Sequence, residues 1–171
     1  MKKLSIATFI ATVLILATAH SAFANSPSPN PDSDTATIQA LTNYESEPND
    51  NYESADTAVL YEWDNGTNYG YISSMGDLDF WHLPTNNASS YNISLYSPGS
   101  YFNYNFAVYE KVPGQNGYTE VARSYAINGV AGVSVPGLKS DGTIPNYYVM
   151  VYGNMGFNIL DPYRLTIHAV Y

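Results

Sequence analysis

The chain has 171 residues, with fifteen acidic and six basic side chains, a formal net charge of −9 and no cysteine. That balance argues against nucleic acid or an anionic membrane as a partner, since phosphate binding runs on Lys and Arg. It also leaves packing or a bound metal, not disulfides, as the source of any extra stability. Aromatic residues make up 15%, with seventeen Tyr, which suits half-buried pleated sheet better than helix.

In chain order, Lys2 and Lys3 precede an apolar run from Leu4 to Ala19 and then Ala22-Phe23-Ala24. This is the pattern of a secretory signal peptide cleaved after Ala24, so residues 1–24 are expected to direct secretion to the extracellular space and to leave no membrane attachment. Their removal leaves four basic and fifteen acidic residues, a net charge of −11. Residues 25–43 open on a Pro/Ser-rich stretch and read as a solvated linker. Residues 44–171 suit one domain.

The domain begins with Tyr44-Glu45-Ser46-Glu47-Pro48-Asn49-Asp50-Asn51, three carboxylates and two amides with no basic residue among them. No Lys or Arg occurs between Leu4 and Glu110. Asp50, followed three residues later by Glu53, also has the form of a capping box for one helical turn. From there on, short segments rich in Val, Ile, Tyr and Phe alternate with turn residues, and each reads as a strand. The expected strands are Ala58 to Trp63, Tyr69 to Ser73, Phe80 to Leu83, Tyr91 to Tyr96, Asn103 to Glu110, Thr119 to Ser124, Gly132 to Val135, Tyr147 to Tyr152 and Tyr163 to Tyr171. Turn chemistry separates them at Asn65-Gly66, Pro98-Gly99, Pro113-Gly114, Asn128-Gly129, Asp141-Gly142 and Asp161-Pro162.

Period-2 alternation assigns Ile93, Leu95, Tyr147, Val149, Val151, Leu165 and Ile167 to the core of an all-β, antiparallel sandwich of about eight or nine strands. The opposite face of the next-to-last strand carries Tyr148, Met150 and Tyr152, large side chains that a solvated face does not need, and these form the candidate binding surface. A second acidic motif, Gly76-Asp77-Leu78-Asp79-Phe80, sits at a strand start. In extended chain Asp77 and Asp79 share a side, as do Glu45 and Glu47. With Asn49 and Asp50 they offer six oxygen ligands, a set that suits Ca²⁺ better than Mg²⁺ or Zn²⁺.

The succession Glu45-Ser46-Glu47-Pro48-Asn49-Asp50-Asn51, Gly70-Tyr71-Ile72, Asp77-Leu78-Asp79-Phe80, Tyr147 to Gly153 and Tyr163-Arg164-Leu165 resembles the bacterial pre-peptidase C-terminal domain family over about Tyr44 to Tyr171. The resemblance implies a jelly-roll-like sandwich found on secreted proteases, non-catalytic, with Ca²⁺ near the N-terminal linker in collagen-binding members. It implies that Glu45, Glu47, Asn49 and Asp50, with Asp77 and Asp79, hold the ion. It also matches the outward residues Met150 and Tyr152 to a collagen-binding strand, on which Asn154 stands where another aromatic is expected.

No catalytic residue is expected. Outside the signal segment there are two histidines, His82 and His168, and no Cys, and Asp77 and Asp79 lie on one strand side instead of flanking a substrate. The expected function is a secreted, Ca²⁺-binding, non-catalytic module that attaches to an extracellular protein or matrix surface. The alternatives are a carbohydrate-binding module, since tyrosine faces also stack sugars, and a stabilising accessory of a secreted protease. The oligomeric state is not legible.

Overall fold

The computed structural model describes residues 41–61 and 66–171. The expected signal peptide, most of the linker, and the stretch from Glu62 to Asn65 lie outside the described residues. Ten strands follow one another in those that are described: β1 (Thr42–Tyr44), β2 (Asp56–Thr57), β3 (Thr67–Gly70), β4 (Leu78–His82), β5 (Ser90–Tyr96), β6 (Asn103–Glu110), β7 (Thr119–Ser124), β8 (Val130–Pro136), β9 (Tyr147–Met155) and β10 (Tyr163–Val170). No helix of the described residues is long and apolar enough to cross a membrane.

The strands form two five-stranded sheets, in the orders β1-β3-β10-β5-β8 and β2-β4-β9-β6-β7. Without the short edge strands β1 and β2, and counting from β3, these orders become 1-8-3-6 and 2-7-4-5, the strand orders of an eight-stranded jelly roll. The eight long strands pair antiparallel, as alternation and short turns dictate. The edges differ from the wholly antiparallel expectation: β1 pairs β3 in parallel and β2 pairs β4 in parallel. Both edge strands come from the acidic N-terminal segment, which passes from one sheet to the other and adds a strand to each.

The inward faces meet as alternation requires. Tyr91, Ile93, Leu95, Leu165 and Ile167 of the first sheet pack against Trp81, Phe106, Val108, Val149 and Val151 of the second, all essentially without exposure. Each such aliphatic side chain contributes on the order of 1.5–3 kcal/mol when fully buried. Tyr163 joins this core because its hydroxyl accepts a 2.8 Å bond from Trp81 Nε1, which offsets the cost of burying it.

Two local expectations are corrected. Of the run expected from Ala58 to Trp63, the described residues Ala58 to Tyr61 do not form a strand. Buried Asn68 accepts from the Val59 N–H at 2.8 Å and donates to the Val59 carbonyl at 3.0 Å, so a side chain stands where a ladder partner would. Tyr61 forms an isolated parallel bridge with His168, its N–H donating to the Ile167 carbonyl at 2.6 Å. The turn after Asp50 is capped by its neighbour: Asn51 Oδ1 accepts from Glu53 and Ser54 N–H groups, both at 3.0 Å, in the manner of an Asx-turn.

Candidate metal centre and tyrosine face

Glu45 prolongs the β1–β3 pairing, its N–H donating to the Tyr69 carbonyl at 2.9 Å. Its carboxylate then crosses Gly70. A Cβ at position 70 would stand 2.1 Å from Glu45 Oε2 and 2.3 Å from the Tyr163 hydroxyl, so this close approach requires glycine. Oε1 accepts from the Tyr71 N–H at 2.5 Å, and Oε2 from the Tyr163 hydroxyl at 3.4 Å.

The chain beyond Glu45 is held by acceptors. Asp56 Oδ2 accepts from the Ser46 N–H at 2.8 Å and from Asn49 Nδ2 at 3.2 Å, while Glu47 Oε2 accepts from the Asn49 N–H at 3.2 Å. The Asn49 carbonyl takes the Phe80 N–H at 3.1 Å, which docks this loop on β4.

On β4, Asp79 shares the inward parity of Trp81 and is fully buried. Among the described residues neither of its oxygens, nor the Oδ1 of buried Asn49, meets a partner in hydrogen-bond geometry, while the Glu45 carboxyl and the Tyr163 hydroxyl lie near enough to act on Asp79. Glu45, Glu47 and Asp79 each present an oxygen, all within 4.8 Å of one another. Asp77, just before β4, accepts from the Ser73 N–H. With Asp50, Glu45 and Glu47 it lines an open cavity of about 760 Å³ beside the buried carboxylate. All six sequence-predicted ligands thus lie at one end of the sandwich, and three of them, Glu45, Glu47 and Asp79, are spaced closely enough to share one ion.

Burial pushes the Asp79 carboxyl far above the usual carboxylate range, and the adjacent Glu45 charge adds to it. Glu45 is raised by burial, with Glu47 adding, and Glu47 by burial, with Asp77, Asp50 and Asp56 adding. No basic side chain is among the groups acting on any of them. Half-buried Glu45, exposed Glu47 and buried Asp79, with no cationic side chain acting on them, form a cluster that could hold a metal ion.

The candidate binding surface lies on the outward side of β9. Tyr148, Met150 and Tyr152 are each half-buried. Tyr52, from the turn after the acidic stretch, stacks on Tyr118 at 3.5 Å between ring centroids and meets Phe80, Tyr109 and Tyr148 edge-on. Tyr148 also packs on Tyr118 and His82. The Tyr152 hydroxyl accepts from Arg123 Nη1 at 2.7 Å. Of the three, Tyr148 is thus packed into a tyrosine cluster with Tyr52 and Tyr118, while Tyr152 is held by Arg123. His82 on β4 and His168 on β10 belong to different sheets.

Sequence reasoning missed Gly70, Asp56, Tyr163 and Tyr52. Gly70 and Tyr163 stood there only in the motifs that carry the family resemblance, and Asp56 only as one more acid in the cation-free half of the chain.

No family model matches the chain, and no curated protein matches it. Among solved structures it is similar to CorA, a surface-associated copper-binding protein of Methylomicrobium album BG8, at 8% identity over 76% of this chain and 98% of that one, with a TM-score of 0.34. It is also similar to the pre-peptidase C-terminal domain of a collagenase from Bacillus anthracis, at 15% identity over 75% of this chain and 96% of that one, with a TM-score of 0.45, a domain of the type that the sequence motifs resemble.

Proposed function

We propose that this protein is a secreted, non-catalytic β-sandwich that binds Ca²⁺ at its N-terminal edge and attaches to an extracellular protein or matrix polymer through the tyrosine face over Tyr148, Met150 and Tyr152. One observation carries the ion: Asp79 is wholly buried, neither of its oxygens meets a partner in hydrogen-bond geometry among the described residues, and Glu45 and Glu47 each present an oxygen within 4.8 Å. A buried carboxylate so placed is costly unless something positive compensates it. Glu45, Glu47 and Asp79 would hold the ion directly, Asn49 Oδ1 would complete their side, and Asp50 and Asp77 would close the solvent side. Bound there, Ca²⁺ neutralises the repelling carboxylates and ties the N-terminal segment to β4.

Melting the protein in chelator and in millimolar Ca²⁺ tests this. A ligand held only by the folded state stabilises by about 2.7 kcal/mol at a hundredfold excess over Kd. For a domain of this size that is about 8–13 °C in Tm. Glu47→Ala is expected to abolish the gain. Superimposable melting curves with and without calcium would refute the ion.

A further inference from the structure

The outer face of the first sheet carries a different constellation. Strand register sets Tyr44 of β1 opposite Tyr69 of β3, Tyr69 opposite Arg164 of β10, and Arg164 opposite Tyr96 of β5. These four side chains form one row across four neighbouring strands, roughly 14 Å long at about 4.8 Å per strand. Tyr44 and Tyr69 are stacked, with centroids 5.3 Å apart and planes 23° from parallel. The Arg164 guanidinium lies 4.1 Å from the centroid of the Tyr96 ring. Two more cross-strand pairs, Thr166 with Ser94 and His168 with Asn92, repeat along the same face. Together with Tyr61 and Thr67 the last three pairs line a concavity of about 310 Å³.

The charge pattern of this face is unlike the rest of the chain. None of its five strands contains an Asp or Glu, although the chain has fifteen. Arg123 and Lys139 are paired with Glu120 and Glu110, whereas exposed Arg164 makes no ion pair among the described residues and lies over the Tyr96 ring. Its planar fork matches a carboxylate with two parallel hydrogen bonds, a match that Lys does not reproduce. The flanking phenol rings offer flat apolar faces with a polar rim. The alcohol, amide and imidazole side chains of the adjoining rows supply donors and acceptors in a shallow, wet groove.

A ligand complementary to all three features has a carboxylate, an apolar C–H face and many hydroxyls. We propose that this face binds a glycan containing uronic-acid sugars. Arg164 donates to the sugar carboxylate, Tyr69 and Tyr96 take the C–H faces of rings on either side, and Asn92, Ser94, Thr166 and His168 exchange hydrogen bonds with hydroxyls. At physiological salt, acidic groups more than about 8 Å from the Arg164 row are largely screened.

The test is a titration of isotope-labelled protein, held in millimolar calcium, with a short oligosaccharide of glucuronate and N-acetylglucosamine. The control is the same oligosaccharide with its carboxylates reduced to alcohols. Amide shifts are expected to concentrate on Tyr69, Tyr96 and Arg164. Arg164→Gln is expected to lower affinity about ten- to a hundredfold, the loss of a charge-assisted pair, with the melting temperature unchanged because the side chain is exposed. Reducing the carboxylates is expected to cost a similar factor, and Arg164→Lys a smaller one. Absence of binding, shifts confined to the Tyr148 face, equal affinity for the reduced form, or undiminished binding by Arg164→Gln would each overturn the proposal. Both arms keep calcium present and read glycan binding alone, so failure here leaves the ion site untouched, and failure of the ion site leaves this result standing.

Discussion

Asp79→Asn separates a buried ligand carboxylate from a merely tolerated one. In chelator, burial and the Glu45 charge hold the folded Asp79 carboxyl protonated through the neutral range, while in the unfolded chain it ionises near its ordinary value of about 3.9. The folded pKa is raised, so this group's contribution to stability is full below about pH 4 and is lost progressively as pH climbs toward the folded value. One proton corresponds to about 1.4 kcal/mol per pH unit, so the ion-free protein is expected to lose up to about 4 kcal/mol between pH 5 and 8. At about 3–5 °C per kcal/mol, Tm falls by about 12–20 °C.

The isosteric amide carries no charge to desolvate and no proton to release, and therefore flattens this slope. Calcium reverses the order. It takes the ionised carboxylate, so its affinity for the wild type rises with pH as protons are displaced, and the amide forfeits a charged ligand. Calorimetric melts at pH 5, 6, 7 and 8 are expected to cross: Asp79→Asn is the more stable protein in chelator at pH 8 and the less stable in calcium at the same pH. Parallel pH slopes for the two proteins in chelator, or an equal calcium gain in both, would refute the reasoning.

Gly70→Ala puts a methyl group against Glu45 Oε2 and the Tyr163 hydroxyl; calorimetry is expected to register little or no calcium-induced rise in Tm, whereas an intact rise would mean that Glu45 does not need its path over Gly70. Asn68→Ala strips the Val59 N–H and carbonyl of their partner and is expected to cost about 2–4 kcal/mol in urea unfolding, since unmet buried polar groups cost about 1–3 kcal/mol each; a loss under 1 kcal/mol would be too small for the strut described. Tyr52→Ala removes the ring that meets Phe80, Tyr109, Tyr118 and Tyr148 and is expected to cost about 2–4 kcal/mol, with the near-ultraviolet circular dichroism of the tyrosine cluster lost in parallel; an unchanged spectrum would place Tyr52 in solution away from this face.

The long strands were legible because alternation and turn chemistry agree in them. β6 and β7 run from Asn103 to Glu110 and from Thr119 to Ser124, as read from the sequence, and β9 and β10 depart from their readings only at the C-terminal end. What failed was decided at a distance. Thr42-Asn43-Tyr44 is too short to signal a strand and becomes one because β3 lends it a ladder. Ala58 to Trp63 has the composition of a strand, yet the side chain of Asn68 occupies both backbone groups of Val59. Asp50 and Asn51 compete for one cap, and their types alone do not decide which turns inward.

The site divides in the same way. Glu45 and Glu47, and Asp77 and Asp79, were singled out by type and spacing, and the structure brings Glu45, Glu47 and Asp79 together, whereas Gly70 and Tyr163, which shape Glu45 from 25 and 118 residues away, were read only as motif residues. One inference was nevertheless available from the sequence alone. Asp79 stands two residues before Trp81 on a strand, so whatever buries the indole buries the carboxylate. An acidic rim keeps its charges in water, where they cost little. A carboxylate at an inward position, beside a second one and far from any Lys or Arg, either takes up a proton, as Asp79 does in chelator, or needs a compensating positive charge to ionise. The burial of Asp79, more than the number of acids around it, is what distinguishes a ligand site from a solvated acidic edge, and it is the residue on which the calcium proposal stands or falls.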